Sequence, residues 1–179
     1  MNFYTVSEIS PEILDSFHIA LSTAFDENKT LYVIFNSTGG DVDTGFAMIA
    51  LVDAYVGAGL KAIAINTRLT ASIAVPLFLS FEFREAFNGA KIALHRCAIT
   101  IKEESLNGNQ FDFYSKSLKN DDIKSSAFIE NRTGGKIKSK DLLDLYDSSD
   151  AHYVVFEGIE TLYEKGFITN QNPSRFPLE

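Results

Sequence analysis

Cysteine is almost absent from this sequence, and so is any long apolar run. The single cysteine, Cys97, excludes a disulfide within the chain. The longest apolar stretch, residues 73–81, is interrupted by Pro76 and Ser80 and is much shorter than the ~20 residues that a membrane-spanning helix needs. The opening sequence, MNFYTVSEIS, lacks the basic start and apolar centre of a secretion signal. We therefore expect a cytoplasmic protein without a membrane segment.

Positive charge is scarce as well. The 179 residues include 16 Lys and Arg against 24 Asp and Glu, which gives a formal net charge of −8. Because binding to a polyanion needs clustered positive charge, nucleic acid is not expected as a partner. The three histidines and one cysteine are scattered without the spacing of a metal site, so we expect no metal and no other cofactor. The length suits one core, and we predict a single domain over residues 1–179.

Apolar runs and helical patterns alternate along the chain. Continuous β-prone runs predict strands over residues 31–35, 60–65 and 91–95, and polar turns over 36–41 and 66–71. Apolar residues at helical spacing predict helices over 11–25, 44–56 and 72–81. This alternation is typical of an α/β fold, in which helices cover a parallel-rich sheet and ligands bind at the carboxyl ends of the strands.

The composition becomes more polar after residue 98. Residues 99–109 are predicted as an exposed strand and turn, and residues 111–132 as a projecting helix. This helix carries apolar side chains, including Phe111, Leu118 and Ile129, among many charges. A single subunit cannot cover such a stripe, so the segment predicts a homo-oligomer.

Three features fall at the predicted ligand edge: Gly39-Gly40, Ser72 and His95. Acyl transfer from an amide needs a nucleophile, a base and backbone donors for the oxyanion, and these residues can supply all three. The free N–H groups at the start of the helix after Ser72 favour an anion, and an imidazole such as that of His95 can accept and return a proton near neutral pH. Taken singly, the same residues also suit a tight turn, a helix N-cap and a structural histidine.

Five stretches occur in an order that carries a family resemblance. They are FNSTGGDV at 35–42, TASIA at 70–74, REAF at 84–87 leading into KIALH at 91–95, RTGG at 132–135 and YEKGFI at 163–168. Together they resemble the Clp protease proteolytic subunit family of serine peptidases. The resemblance runs from about Val6 to Thr169 and implies a Clp/crotonase-like α/β fold, with residues 99–135 as a projecting handle segment.

The resemblance also implies roles for particular residues. Ser72 would be the nucleophile, His95 the general base and acid, and the backbone N–H groups of Gly39 and Ile73 the oxyanion donors. Gly40 would contact substrate. No metal is implied.

The third member of the family's catalytic group is an aspartate, and its position is ambiguous here. Counting back from Gly166 gives Val154, whereas counting along the helix that begins at Ser139 gives Asp150. We favour Asp150 because a carboxylate keeps the imidazole in the useful tautomer. Asp147 is the reserve, and a Ser-His dyad remains open.

Three positions depart from the family pattern. Thr38 replaces a proline, Arg68 replaces a glycine four residues before the nucleophile, and Ala74 replaces a glycine two residues after it. Arg68 would fill the groove, bind an acidic group of the substrate, or pair with Asp41 or Asp43. We place it with the substrate-binding residues.

The function implied by the resemblance is a serine-type endopeptidase that cleaves peptides or unfolded chains and assembles into a ring or stacked rings. Only about nine residues precede the first predicted helix, where the family has a strand and loop that meet an unfolding ATPase, so a partner ATPase is not expected. Two alternatives stay open. One is a catalytically degenerate subunit with a structural or regulatory role, and the other is a crotonase-like acyl-CoA enzyme that uses the paired backbone donors without Ser72.

Overall fold

The computed structural model describes residues 2–98, 105–148 and 153–172. In these ranges the strands are β1 (Asn2–Val6), β2 (Leu31–Ser37), β3 (Ala62–Ala71), β4 (Phe83–Ala86), β5 (Lys91–Leu94) and β6 (Val154–Glu157). The helices are α1 (Leu14–Asp26), α2 (Val42–Gly57), α3 (Ala74–Leu79), α4 (Gly108–Arg132), α5 (Ser139–Ser148) and α6 (Ile159–Glu164), and a short 3-10 turn at Pro11–Ile13 leads into α1.

All six strands belong to one sheet. The order is β1-β2-β3-β5-β6, and β4 pairs with the first half of β3. Every pairing is parallel except that between β5 and β6, which is antiparallel. The predicted α/β fold with a parallel-rich sheet is therefore confirmed.

The predicted turn over residues 66–71 is wrong, because β3 continues through it to Ala71. The strand changes partner on the way: Asn66 lies opposite Ala86 of β4, whereas Thr70 lies opposite Ile92 of β5. Its register with β2 shifts at the same place. Asn66 and Thr70 are polar but buried, and the Asn66 Nδ2 donates to the Lys91 carbonyl oxygen at 2.9 Å. The turn was predicted because polar residues such as Asn66 and Thr70 are typical of turns, although here they lie inside the sheet.

The core lies where α3 packs against the sheet. The ring of Phe35 on β2 meets the rings of Phe78 and Phe81 edge-on, at centroid distances of 5.3 and 6.1 Å. All three side chains are fully buried. Since full burial of a Phe side chain contributes about 1.5–3 kcal/mol, this cluster fixes the short helix that follows Ser72.

Arg84 joins two of the stretches that carry the family resemblance. Its guanidinium is buried and donates to the carbonyl oxygens of Phe81, Gly166 and Phe167 at 2.6–3.1 Å. Burial, with a smaller contribution from nearby Arg132, lowers the pKa of Arg84 to about 10. Arg84 therefore holds the chain after α6 against the start of β4.

The handle segment contains α4, the longest helix of the structure. Phe111, Phe113 and Ile123 lie on its exposed side and are 63, 68 and 53% exposed, whereas Asp122 and Ile129 are buried. The strand and turn predicted over 99–109 fall largely on residues 99–104, which lie outside the described residues. Among the helices that the structure describes, none is long and apolar enough to cross a membrane.

Candidate active site

The three sequence motifs singled out for chemistry follow three neighbouring strands of the sheet. β2 ends at Ser37, β3 at Ala71 and β5 at Leu94. Ser37 lies opposite Thr70, and Ala71 lies opposite Ala93, so these strand ends meet at one edge. The structure thus brings Gly39, Ser72 and His95 to the same edge of the sheet.

Ser72 has an unusual backbone conformation. Its φ is +56°, and among the described non-glycine residues only Asn28 also has a positive φ. The Ser72 N–H donates to the Ala93 carbonyl oxygen at 3.1 Å, and the Ser72 carbonyl oxygen accepts from the Val75 N–H at 2.9 Å. The serine is therefore held in a sharp turn between β3 and α3. A strained serine in a strand-to-helix turn is a geometry that exposes a nucleophilic hydroxyl.

Glycines allow two neighbouring segments to approach this turn closely. A Cβ on Gly39, which has φ +103°, would lie 2.6 Å from the Ser72 Cβ and 3.1 Å from its Oγ. A Cβ on Gly45 of α2 would lie 2.2 Å from the Ile73 Cγ1. Any side chain at these two positions would displace the turn, so the glycines set the position of Ser72 and Ile73.

Gly40 lies against the chain before α1. A Cβ there would lie 2.0 Å from the Ile9 carbonyl oxygen. The Ile9 N–H donates to the Gly39 carbonyl oxygen at 2.9 Å, and the Asp41 N–H donates to the Ile9 carbonyl oxygen at 2.7 Å. These contacts fix the loop that presents the Gly39 N–H.

The two expected oxyanion donors differ in their surroundings. The Gly39 N–H donates to the Ser37 Oγ at 3.1 Å. The Ile73 N–H makes no hydrogen bond to another described residue. The first donor is thus occupied by a neutral hydroxyl, whereas the second has no acceptor in the part of the chain that the structure describes.

Ser72 and His95 line one narrow pocket with a volume of about 20 Å³. The other lining residues are Val42, Ile73, Pro76, Leu94, Cys97, Asp122, Ser125, Ile129 and Tyr146. No hydrogen bond joins Ser72 Oγ to the His95 ring in this structure. The His95 ring packs against the Tyr153 ring in a T-shaped arrangement, with the ring centroids 5.0 Å apart.

The tautomer of His95 follows from its hydrogen bond. The His95 Nδ1 lies 2.6 Å from the carbonyl oxygen of Arg96. A carbonyl oxygen only accepts, so Nδ1 carries the proton and Nε2 of the neutral ring keeps a lone pair. This is the form in which Nε2 can accept a proton from a serine hydroxyl.

The carboxylate expected beside His95 has two candidates. Asp150 lies outside the described residues. Asp147 is at the end of α5, and its Oδ1 is paired with the guanidinium of Arg96. The described residues therefore place a backbone carbonyl, and no carboxylate, next to the His95 Nδ1.

The pocket also contains a carboxylate that the sequence motifs did not predict, that of Asp122. It is buried on α4, and its Oδ1 accepts from the Cys97 N–H at 2.7 Å while its Oδ2 lies 3.8 Å from the Arg96 Nε. Burial, reinforced by Asp122, raises the pKa of Cys97 to about 12, and the pKa of Tyr146 is raised by burial and then by the same carboxylate. A signal existed in the sequence, because Asp122 is four residues after Leu118 and seven before Ile129, on the apolar face of the helix.

Arg68 lies on β3 where that strand changes partner, and its side chain is exposed. Among the described residues it forms no ion pair with Asp41 or Asp43. The Asp41 carboxylate instead caps α2 and accepts from the Thr44 N–H at 2.8 Å. The Arg68 guanidinium therefore has no internal partner in this part of the chain.

Comparison with known proteins defines the class first through the fold. A mutant of ClpP1 from Listeria monocytogenes has a similar structure, with a TM-score of 0.74 over 93% of this chain and 88% of that one, at 14% sequence identity. The fold is therefore that of the Clp peptidases. No model of a protein family matches the sequence.

A curated relative supplies the family. The ATP-dependent Clp protease proteolytic subunit 2 of Borreliella burgdorferi is 30% identical over 154 residues, which are 82% of this chain and 75% of the relative. The chain belongs to the Clp protease proteolytic subunit family. The resemblance inferred from the five sequence motifs is confirmed.

Proposed function

We propose that this chain is a serine-type endopeptidase that cleaves peptides or unfolded protein through an acyl-enzyme. The observation that carries the proposal is the strained turn of Ser72, at φ +56°, in one pocket with a His95 whose Nδ1 proton is held by the Arg96 carbonyl oxygen. Membership in a family of proteases supports it.

The first half of the reaction forms the acyl-enzyme. The Ser72 Oγ attacks the peptide carbonyl carbon while the His95 Nε2 takes the hydroxyl proton. The negative charge that develops on the carbonyl oxygen is bound by the N–H groups of Ile73 and Gly39. The Gly39 N–H must leave the Ser37 Oγ to do so, and this exchanges a neutral acceptor for a charged one, which binds more strongly.

The acyl-enzyme is complete when His95 returns its proton to the leaving amine nitrogen and the peptide C–N bond breaks. The second half of the reaction then releases the acyl product. A water then gives a proton to Nε2 and attacks the ester carbon, and Ser72 recovers its proton as the acid product leaves. No hydrogen bond joins the Ser72 Oγ to the His95 Nε2 in this structure. We expect this hydrogen bond to form when substrate fills the pocket.

Asp150 remains the carboxylate that we favour for orienting His95, with Asp147 as the reserve. Asp147 would first have to give up its ion pair with Arg96. The dyad of Ser72 and His95 with the Arg96 carbonyl oxygen needs neither carboxylate.

We also propose that the Gly40 loop contacts substrate and that the guanidinium of Arg68 binds an acidic group of the substrate. An exposed Arg with no carboxylate partner among the described residues suits this role. The apolar side chains exposed on α4 support assembly into a ring or stacked rings.

A degenerate, non-catalytic subunit is the second candidate. Two observations favour it: no hydrogen bond joins Ser72 to His95, and the Gly39 N–H is already bonded to Ser37. Under this alternative the fold and the assembly surface are kept while turnover is lost.

Hydrolysis of a set of fluorogenic peptides separates the two candidates. Ser72→Gly keeps a residue that accepts the positive φ, so this variant should fold but release no fluorophore. His95→Ala should lose turnover by a similar factor, because members of one catalytic unit act together. Ser22→Ala, at a half-buried serine on α1, is the control and should match the unmodified protein. Turnover that survives Ser72→Gly would contradict the proposal.

A further inference from the structure

Asp122 and His95 contact opposite sides of one peptide group. The Asp122 Oδ1 accepts from the Cys97 N–H at 2.7 Å, and the carbonyl oxygen of Arg96, which belongs to the same peptide, lies 2.6 Å from the His95 Nδ1. In a trans peptide the N–H and the C=O are coplanar and point in opposite directions. A carboxylate that holds the N–H therefore aims the C=O.

We propose that Asp122 is a positioning residue that orients His95 through the Arg96–Cys97 peptide. The proposal rests on the proposed function, in which the His95 Nε2 is the base. Asp122 acts at one remove, because the carbonyl oxygen of Arg96 makes the direct contact with the ring.

Within residues 2–98, 105–148 and 153–172, little else fixes this peptide. β5 ends at Leu94, so residues 95–98 have no strand pairing to hold them. The Arg96 side chain, which is half exposed, adds an ion pair to Asp147 and a longer one to Asp122 at 3.8 Å. The orientation of the peptide thus depends mainly on the buried carboxylate.

Burial explains why the Asp122 carboxylate can hold the Arg96–Cys97 peptide in one orientation. Only 8% of its side chain is exposed, and a buried carboxylate is stable only when it is hydrogen-bonded or paired. Its bond to the Cys97 N–H is charge-assisted and therefore stronger than a bond between neutral groups. The same bond polarises the peptide and makes the Arg96 carbonyl oxygen a better acceptor for the Nδ1 proton.

The orientation of the Arg96–Cys97 peptide determines which tautomer His95 adopts. A histidine free in water prefers the form with the proton on Nε2, and an acceptor at Nδ1 reverses that preference. In this structure the acceptor is the Arg96 carbonyl oxygen. Loss of Asp122 should release the peptide and return the proton to Nε2, where it blocks the base.

The experiment compares three variants of the full chain. Asp122→Ala removes the acceptor for the Cys97 N–H, whereas Asp122→Asn keeps an oxygen acceptor and removes only the charge. Asp121→Ala is the matched control, since Asp121 precedes it on α4 and pairs with Lys124 at 3.7 Å. Circular dichroism confirms folding, long-range ¹H–¹⁵N NMR reports the His95 tautomer, and a fluorophosphonate labelling rate reports reactivity.

We expect the Nδ1–H tautomer in the unmodified protein, in Asp122→Asn and in Asp121→Ala. Asp122→Ala should shift the tautomer towards Nε2–H and slow labelling by about 10–100-fold, the range found when a residue that orients a metal-bound histidine is removed. Asp122→Asn should recover most of the rate.

Three outcomes overturn the proposal. They are an Nε2–H tautomer in the unmodified protein, an unchanged tautomer in folded Asp122→Ala, and equal loss of labelling in Asp121→Ala. If Asp122→Ala does not fold, the tautomer of the unmodified protein still decides, because the Nε2–H form there overturns the proposal. An unmodified protein that is never labelled but holds the Nδ1–H form would contradict the peptidase proposal and leave the positioning role intact.

Discussion

A pair of glycines separates backbone strain from the close approach that positions Ser72. Gly39 has φ +103° and Gly59 has φ +107°, so an alanine meets nearly the same backbone penalty at both. The added Cβ would lie 2.6 Å from the Ser72 Cβ at Gly39, whereas nothing lies within 4 Å of it at Gly59. Gly59→Ala is therefore a matched control for Gly39→Ala.

The magnitudes follow from these contacts. A positive φ costs an alanine about 1–3 kcal/mol, and this applies to both variants. Forcing a methyl group into a packed site costs about 1–3 kcal/mol more, and this applies only to Gly39→Ala. We expect Gly39→Ala to lose the sum of both terms and Gly59→Ala only the first. The chain has 7 tyrosines and no tryptophan, so urea unfolding is best followed by circular dichroism.

Function should separate the two variants more sharply than stability. Gly39→Ala should lose fluorophosphonate labelling because its methyl group displaces the Ser72 turn and the N–H that we propose binds the oxyanion. Gly59→Ala lies after α2, away from the strand ends that carry the site, and should be labelled at the normal rate. Equal free energies of unfolding for the two variants, or normal labelling of Gly39→Ala, would refute the packing argument.

Four further predictions follow from the same geometry. Gly45→Ala should lower the free energy of unfolding by about 1–3 kcal/mol because its Cβ would overlap Ile73, whereas Gly57→Ala, with open space around it, should not destabilise; urea denaturation of both tests this. Folding raises the pKa of Cys97 above its value in the unfolded chain, so the contribution of this thiol to stability is present below about pH 8.5 and is lost as the pH rises towards 12. Iodoacetamide at pH 8 should therefore alkylate the folded protein at least about tenfold more slowly than the unfolded chain. Equal alkylation rates would contradict the raised pKa. Arg68→Ala should lower kcat/KM about two- to fivefold for a peptide with Glu near the cleaved bond and leave its Gln counterpart unchanged, as an exposed ion pair would; an equal loss on both peptides would oppose the assignment. Sedimentation at micromolar concentration should find a ring-sized oligomer, and a monomer would oppose the assembly.

The sequence predicted most of the elements that depend on apolar periodicity and on turn-forming residues. The run of apolar residues over 31–35 lies in β2. The predicted turn with Gly39-Gly40 is the loop that follows this strand. Ser72 and His95 were placed at one edge because parallel strands present their carboxyl ends together, and they line one pocket.

Long-range relations were beyond the sequence. The strand predicted over 60–65 ends too early, because the buried residues Asn66 and Thr70 are polar. The change of partner from β4 to β5 explains why β3 carries polar residues there. Asp122 was missed for a similar reason. It is 25 residues from Cys97 in the chain, and the hydrogen bond that gives it a role exists only once α4 packs against the segment after β5.

Mass spectrometry of the protein after reaction with a fluorophosphonate shows whether Ser72 is an activated nucleophile. A serine activated by a neutral histidine base attacks the phosphorus and displaces fluoride, and unactivated serines do not. We expect one adduct per chain, on Ser72, that disappears in Ser72→Gly and His95→Ala. No adduct on the folded protein, or an adduct on another serine that persists in Ser72→Gly, would contradict the proposed peptidase mechanism.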